Sequence, residues 1–351
     1  MIIWLRCFAN DGRIPAHRAG PVRQGSAGGN GMAARVLVTP RGFLDLEGEH
    51  LGILKQAGYE VIANPRPRTL TEDEMAAYIV GMDAVIVGDD PVTHRVLDRA
   101  TGLKVISKFG THVDNIDVDV AAARHIPVTF TPGVTHAAVA ELTLGLMFAL
   151  LRGIPQMDRD IRNGKWSSVA GVELMGKTLG IVGMGGIGKE VAKRALALGM
   201  NVLGFDMHPD VSFAEHHGIE YVPADELLKN SDIVTLHLGL NPETRGWLSK
   251  MRVGRIRPGS YLINTGRPEL IDEGSVLDAL RGQRLRGAAF DLPSEENLFT
   301  VPLLTQENVL VSCHAGSNTE ESVRRQAVMA AENVVAVLSG QPKLAALATA
   351  S

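Results

Sequence analysis

Residues 177–209 read KTLGIVGMGGIGKEVAKRALALGMNVLGFDMHP, and this stretch decides the fold. Thr178 to Val182 is a short apolar run with β-branched residues, Gly183, Gly185 and Gly188 punctuate a turn, and Ile187 to Leu198 carries apolar residues at helical spacing. The order is strand, tight turn, helix. A second strand is expected over Asn201 to Phe205, ending in Asp206, eighteen residues past Gly188. In a dinucleotide-binding fold an acid at that position takes the ribose hydroxyl pair. The first glycine permits the turn, the second lets backbone N–H groups approach a pyrophosphate, and the third lets helix and strand pack closely. The helix N-terminus adds partial positive charge beside the phosphates.

A glycine triplet alone is a weak signal, because glycine-rich turns are common; the flanking strand, helix, second strand and terminal acid make it specific. Asp206 also chooses the cofactor. Its carboxylate would repel a 2′-phosphate, and Met207, His208 and Pro209 offer no arginine to receive one. NAD is therefore favoured over NADP.

Upstream of this unit, strands are expected at Arg35–Thr39, Tyr59–Ala63, Ala84–Val87, Leu103–Ser107 and Val128–Phe130. Between them fall helices at Glu47–Ala57, Thr71–Val80, Thr93–Arg99 and Val118–Arg124, the second capped by Thr71 with Glu74 three residues on. Such alternation means a parallel sheet covered on both faces, a first α/β domain from about 35 to 136. Ala137–Leu151 is nearly all apolar and too short to span a bilayer, so it should be a buried helix. Downstream strands at Asp232–Leu236, Ser260–Asn264, Gly287–Asp291 and Val309–Ser312 bring the count from residue 178 to 312 to six. The last helix, Thr319–Leu338, follows the final strand and can cross back onto the first domain. The fold class is α/β with two doubly wound, Rossmann-like parallel sheets, the first flavodoxin-like and the second dinucleotide-binding.

At 351 residues the chain is long enough for two domains. Lys+Arg 35 against Asp+Glu 39 gives a net charge of -4 and no basic face, which disfavours nucleic acid as a partner. No run approaches the roughly 18 apolar residues of a membrane helix. Two cysteines, Cys7 and Cys313, build no disulfide framework and suit a reducing cytoplasm. Residues 10–31 are rich in Gly, Arg, Pro and Ala with little apolar periodicity, so residues 1–31 are expected to be a disordered extension, with Met32 the natural start. A targeting arm is the other reading of that segment.

Function in open α/β sheets gathers beyond the carboxyl ends of the strands. Those ends deliver Gly110, Thr111, His237, Arg267, Asp291 and His314.

Here the chain resembles the D-isomer-specific 2-hydroxyacid dehydrogenases, most of all their phosphoglycerate dehydrogenase branch, over about residues 35–340. The likeness rests on KFGTHVDNIDVDVAA (108–122), TPGVTHAAVAELTLGLM (131–147), GKTLGIVGMGGIGKEVA (176–192), NTGRPELIDEGSVLDAL (264–280), GAAFDLPSEEN (287–297) and NVLVSCHAGSNTEES (308–322). It implies a substrate domain at 35–136 and 318–345, an NAD domain at 137–317, and a homodimer. The implied reaction is hydride transfer between NAD(H) and a small 2-hydroxy or 2-keto acid.

Residue by residue, His314 takes the acid/base role. Glu296 pairs with it, with Glu295 the alternative in register, and Arg267 clamps the substrate carboxylate through its planar guanidinium. Lys108, Phe109 and Gly110 stand beside the substrate. Cofactor contacts are implied at Thr111, Gly183, Gly185, Gly186, Ile187, Gly188, Asp206, His237, Leu238, Thr265, Gly266, Asp291 and Gly316; no metal is implied.

The chain departs from the family pattern at Gly186, where a longer side chain often meets the phosphates, and at His112, Gly239, Pro268, Asn297 and Cys313. VGDD (87–90) lacks the arginine with which the phosphoglycerate branch often holds a phosphate, although Lys108 offers one positive charge. Glyoxylate, hydroxypyruvate and branched 2-keto acids stay open beside phosphoglycerate. An NAD-sensing, corepressor-like binding protein of the same fold is the alternative function.

Overall fold

Runs such as Ala84–Val87 (AVIV), fully buried and partly β-branched, leave no polar face, so they form strands with helices on both sides. The computed structural model describes residues 33–292 and 302–341, and those from Ala34 onward belong to one compact unit. Its first sheet comprises β1 (Arg35–Val38), β2 (Glu60–Ala63), β3 (Ala84–Val87), β4 (Val105–Lys108) and β5 (Val128–Thr129), in the order β2-β1-β3-β4-β5. The second comprises β6 (Thr178–Val182), β7 (Asn201–Phe205), β8 (Glu220–Tyr221), β9 (Ile233–Leu236), β10 (Ser260–Asn264), β11 (Leu285–Leu292) and β12 (Val309–Cys313). Their order is β12-β11-β10-β9-β6-β7-β8.

Every neighbouring pair of strands is parallel. The first order is flavodoxin-like, and the second is the dinucleotide-binding order with one strand added. Each reverses at a switch point, between β1 and β3 and between β6 and β9, and ligands bind beyond the carboxyl ends there.

The second sheet has seven strands where the sequence reading expects six. The extra one is β8, whose two residues pair with Leu203 and Gly204 of β7 and are too few to show alternation. The helix Ile154–Arg162, begun after Gly153 in the left-handed region, was also not anticipated. Expected caps are present: Thr71 and Glu74 form a reciprocal box at the start of the helix Glu72–Tyr78.

The apolar helix His136–Leu151 lies against the second sheet and the helix Gly186–Ala197. Ala140, Leu144, Met147 and Leu151 join Leu179, Ile181 and Val191 in one core cluster. Met147 is fully buried, so truncating it to alanine would cost about 2–5 kcal/mol. The final helix, Glu320–Leu338, returns to the first sheet. Its Ala327, Ala330, Ala331 and Val334 are fully buried against Val36, Val38, Ala84, Ile86 and Val105. The alanines bring helix and sheet close enough for Ser107 Oγ to donate to the Ala330 carbonyl at 3.0 Å. Among the described residues no single helix is long and apolar enough to cross a membrane.

Candidate active site

The glycine turn after β6 is enforced by its surroundings. Gly183 has φ +94°, and a Cβ on it would lie 2.7 Å from the His237 carbonyl oxygen. A Cβ on Gly188 would lie 2.1 Å from the Gly183 oxygen, so the third glycine sets how closely helix and strand pack. Gly185, the residue before the helix Gly186–Ala197, has nothing within 4 Å of a Cβ and leaves room for a ligand to approach the backbone. At the end of β7, Asp206 Oδ2 accepts from the Met184 N–H at 2.8 Å and Oδ1 from the His208 N–H at 2.9 Å. A cradle of free space at a helix N-terminus, with a fixed carboxylate beside it, fits the diphosphate and ribose of a dinucleotide.

Gly186 has a neighbour that sequence reasoning did not find. A Cβ there would lie 1.9 Å from Cε1 of His136, the first residue of the helix His136–Leu151. The imidazole therefore fills the space that a side chain at position 186 would take. Burial lowers the His136 pKa, against an opposing pull from Glu190.

His237 follows β9. Its Nε2 is 3.0 Å from Thr235 Oγ1 and its Nδ1 3.4 Å from Thr265 Oγ1, which in turn is 3.1 Å from Thr143 Oγ1. Burial pushes the His237 imidazole down to about 3, so it is neutral at physiological pH. Leu238 and Ile187 are partly buried and pack onto the two core clusters of the second sheet.

Arg267 follows β10 and its guanidinium is 3.6 Å from Asp114, on the loop after β4. Its main chain is held by Asn264, whose Nδ2 donates to the Arg267 carbonyl at 2.9 Å while Oδ1 accepts from the Gly266 N–H at 3.0 Å. Pro268 opens a short 3-10 helix, Pro268–Leu270, where a missing N–H costs nothing. His314 follows β12 and has φ +48°, uncommon for a residue with a side chain. The turn that carries it is pinned by Asp291, which accepts from Ser312 Oγ at 2.7 Å, the Ala315 N–H at 2.8 Å and the Gly316 N–H at 2.9 Å. Glu295, Glu296 and Asn297 lie outside the described residues.

The facing wall comes from the first sheet. Phe109 packs edge-on against Phe43 at 6.2 Å between ring centroids. Gly110, with φ +148°, donates its N–H to Thr131 Oγ1 at 3.1 Å, whereas no acceptor among the described residues meets the Thr111 and His112 N–H groups. Lys108 Nζ is buried and donates to the Gly88 carbonyl at 2.6 Å, Asn115 Oδ1 at 2.8 Å and Asp89 Oδ1 at 3.1 Å. Desolvation, followed by the nearby Arg267 charge, takes the His112 imidazole down to about 4.

The structure thus brings Arg267 and His314 to the carboxyl ends of strands in one sheet, with Asp114 of the loop after β4 beside Arg267. His136, Thr143, Thr131, Asn115 and Ser312 lie within the motifs quoted above but were not singled out, because the tertiary contacts through which each acts are not readable from the motifs.

Fold and site together define a dinucleotide-binding α/β protein with an arginine and a histidine at the carboxyl ends of strands in the same sheet. Residues 144–316 match the family described as D-isomer specific 2-hydroxyacid dehydrogenase, NAD binding domain. A D-3-phosphoglycerate dehydrogenase of Methanocaldococcus jannaschii is 37% identical over 311 residues, 88% of this chain and 58% of that one. A glyoxylate reductase of Thermofilum pendens is 36% identical, covering 83% of this chain and 88% of that one. The structure of the TT0316 protein from Thermus thermophilus superposes with a TM-score of 0.80 at 38% identity, covering 88% and 97% of the two chains. The chain belongs to the D-isomer specific 2-hydroxyacid dehydrogenase family, and its second sheet carries that family's NAD-binding domain. It spans little more than half the length of the D-3-phosphoglycerate dehydrogenases it matches, 58% and 53% of the two archaeal ones.

Proposed function

We propose that the protein is an NAD-dependent D-2-hydroxyacid dehydrogenase, acting reversibly on a small 2-hydroxy or 2-keto acid. The observation that carries this reading is that Arg267 and His314 follow strands at the carboxyl end of the NAD-binding sheet, with Asp114 of the loop after β4 3.6 Å from Arg267. NADH, when bound, supplies the hydride that attacks the carbonyl carbon. The Arg267 fork holds the substrate carboxylate, with the loop amides as further donors. The His314 imidazolium gives its proton to the carbonyl oxygen as that oxygen takes up the electron pair, and in oxidation the neutral ring removes it. Glu296 as the partner of His314 rests on the family resemblance alone.

In this reading residues 35–136 with 318–345 form the substrate domain and 137–317 the NAD domain. The protein acts as a cytoplasmic homodimer. Supporting the dimer, Ile154, Ile161, Trp166, Val169 and Met175 expose apolar side chains along the segment after the helix His136–Leu151. The test is NADH oxidation by the purified chain against a panel of 2-keto acids, with Arg267→Ala and His314→Ala alongside. Turnover abolished in both variants supports the reading; NADH binding without reduction of any acid overturns it in favour of an NAD-sensing role.

A further inference from the structure

The chain after β3 reaches this site through the loop after β4: Asp114 lies 3.6 Å from Arg267, and its neighbour Asn115 accepts from Lys108, which pairs with Asp89. Lys108 is the cation available there to meet a phosphate, but its ammonium makes three short contacts inside its own chain, to Gly88, Asn115 and Asp89. Its side chain is 5% exposed, whereas that of Asp89 is 83% exposed. The arrangement therefore offers a carboxylate, not an ammonium, to whatever enters. Asn115 locks the backbone of this corner by donating to the Gly88 and Asp90 carbonyls at 3.0 and 2.6 Å. Asp90 is buried and accepts from the Leu70 N–H at 2.7 Å and from Thr39, so the turn does not reorganise freely.

Charge balance gives the same answer. Among the described residues the charged and titratable groups here are Lys108, Arg267, Asp89, Asp90, Asp114, His112 and His314. Lys108 is matched by Asp89 and Arg267 stands beside Asp114, so no cation is left over to meet a phosphate once Arg267 turns to a substrate carboxylate. A phosphate would bring about 1.5 to 2 further negative charges against an exposed carboxylate. Like charges so placed repel, and such repulsion is how a site rejects a competitor. Desolvation opposes ionisation of Asp89, but Lys108, with smaller help from His314 and Arg267, holds its carboxyl below the usual range, so it is charged at neutral pH.

We infer that Asp89, held in place by Lys108, is a specificity residue that selects 2-keto acids with an uncharged, hydrogen-bond-donating distal group and rejects those bearing a phosphate. This rests on the dehydrogenase reading and narrows its substrate class.

The experiment compares kcat/KM for hydroxypyruvate and for its 3-phosphorylated counterpart, with NADH, using the full chain and the variants Asp89→Asn and Asp89→Arg. NADH fluorescence quenching reports that each variant is folded. The expected preference of the unaltered protein is at least tenfold for hydroxypyruvate. It should shrink at least fivefold in Asp89→Asn and further in Asp89→Arg, carried by a lower KM for the phosphorylated acid. A wild-type preference for the phosphorylated acid, or a ratio unmoved in folded Asp89→Asn, overturns the inference and leaves the dehydrogenase reading standing. If the chain binds NADH and reduces no 2-keto acid, both fall together.

Discussion

Asp291 holds Gly316: the Gly316 N–H donates to Asp291 Oδ2 at 2.9 Å, and a Cβ on Gly316 would come within 3.1 Å of that same oxygen. Together with the bonds from Ala315 and Ser312, this makes the carboxylate the anchor of the turn that presents His314. Family resemblance assigns Asp291 to the nicotinamide, and three donors of its own chain already occupy it. Asp291→Ala should therefore lower kcat at least tenfold while weakening NADH binding much less, and should cost about 2 kcal/mol of stability from the orphaned amides. Equal losses in kcat and NADH affinity would instead mark it as mainly a cofactor ligand.

His314→Asn tests the acid/base role with the least structural disturbance. Asparagine tolerates the left-handed backbone that His314 adopts at φ +48°, so the turn should persist. The expected loss in kcat is at least about a hundredfold, the low end for general acid/base catalysis. Turnover within threefold of the unaltered protein would remove His314 from the mechanism.

His237 should give the protein a pH-dependent stability. Its folded-state pKa is held by burial at about 3, below the unfolded value near 6.5. Between those values the unfolded chain binds a proton that the folded chain refuses, so stability rises with pH across that window. Taking the protein from pH 7.5 to 5 should cost about 2 kcal/mol through this residue. His136 and His50, also lowered by burial, add to the slope. Urea denaturation at the two pH values should show a smaller loss for His237→Gln than for the unaltered chain; equal losses would mean His237 ionises as freely folded as unfolded.

The contact between His136 and Gly186 yields a double-mutant test. Gly186→Ala places a methyl where the imidazole sits and should weaken NADH binding several-fold by displacing the ring toward the diphosphate cradle. Adding His136→Ala should restore much of that loss, a positive coupling expected only of residues in contact. Additive effects on NADH titration would show that the ring moves aside at no cost.

The glycine unit and its acid were legible in the sequence because their requirements are local. Gly183 needs a positive φ, Gly188 needs the absence of a Cβ, and Asp206 must end the next strand, all within about thirty residues. Alternating apolar runs likewise showed two parallel sheets, and the position of the last helix after the final strand let it cross back onto the first domain. The two-residue strand β8 escaped, since two residues carry no period.

By itself the sequence determined the fold class, the dinucleotide turn, the choice of acid at Asp206 and the identity of the side chains at the strand ends. Tertiary structure alone decided which of those side chains are free. It committed Lys108 to three partners and left Asp89 exposed, set His136 against Gly186, and turned Asp291 toward the His314 turn. The reason is physical: a motif records which groups a segment carries. Whether a buried polar group is spent or available depends on acceptors supplied by distant parts of the chain.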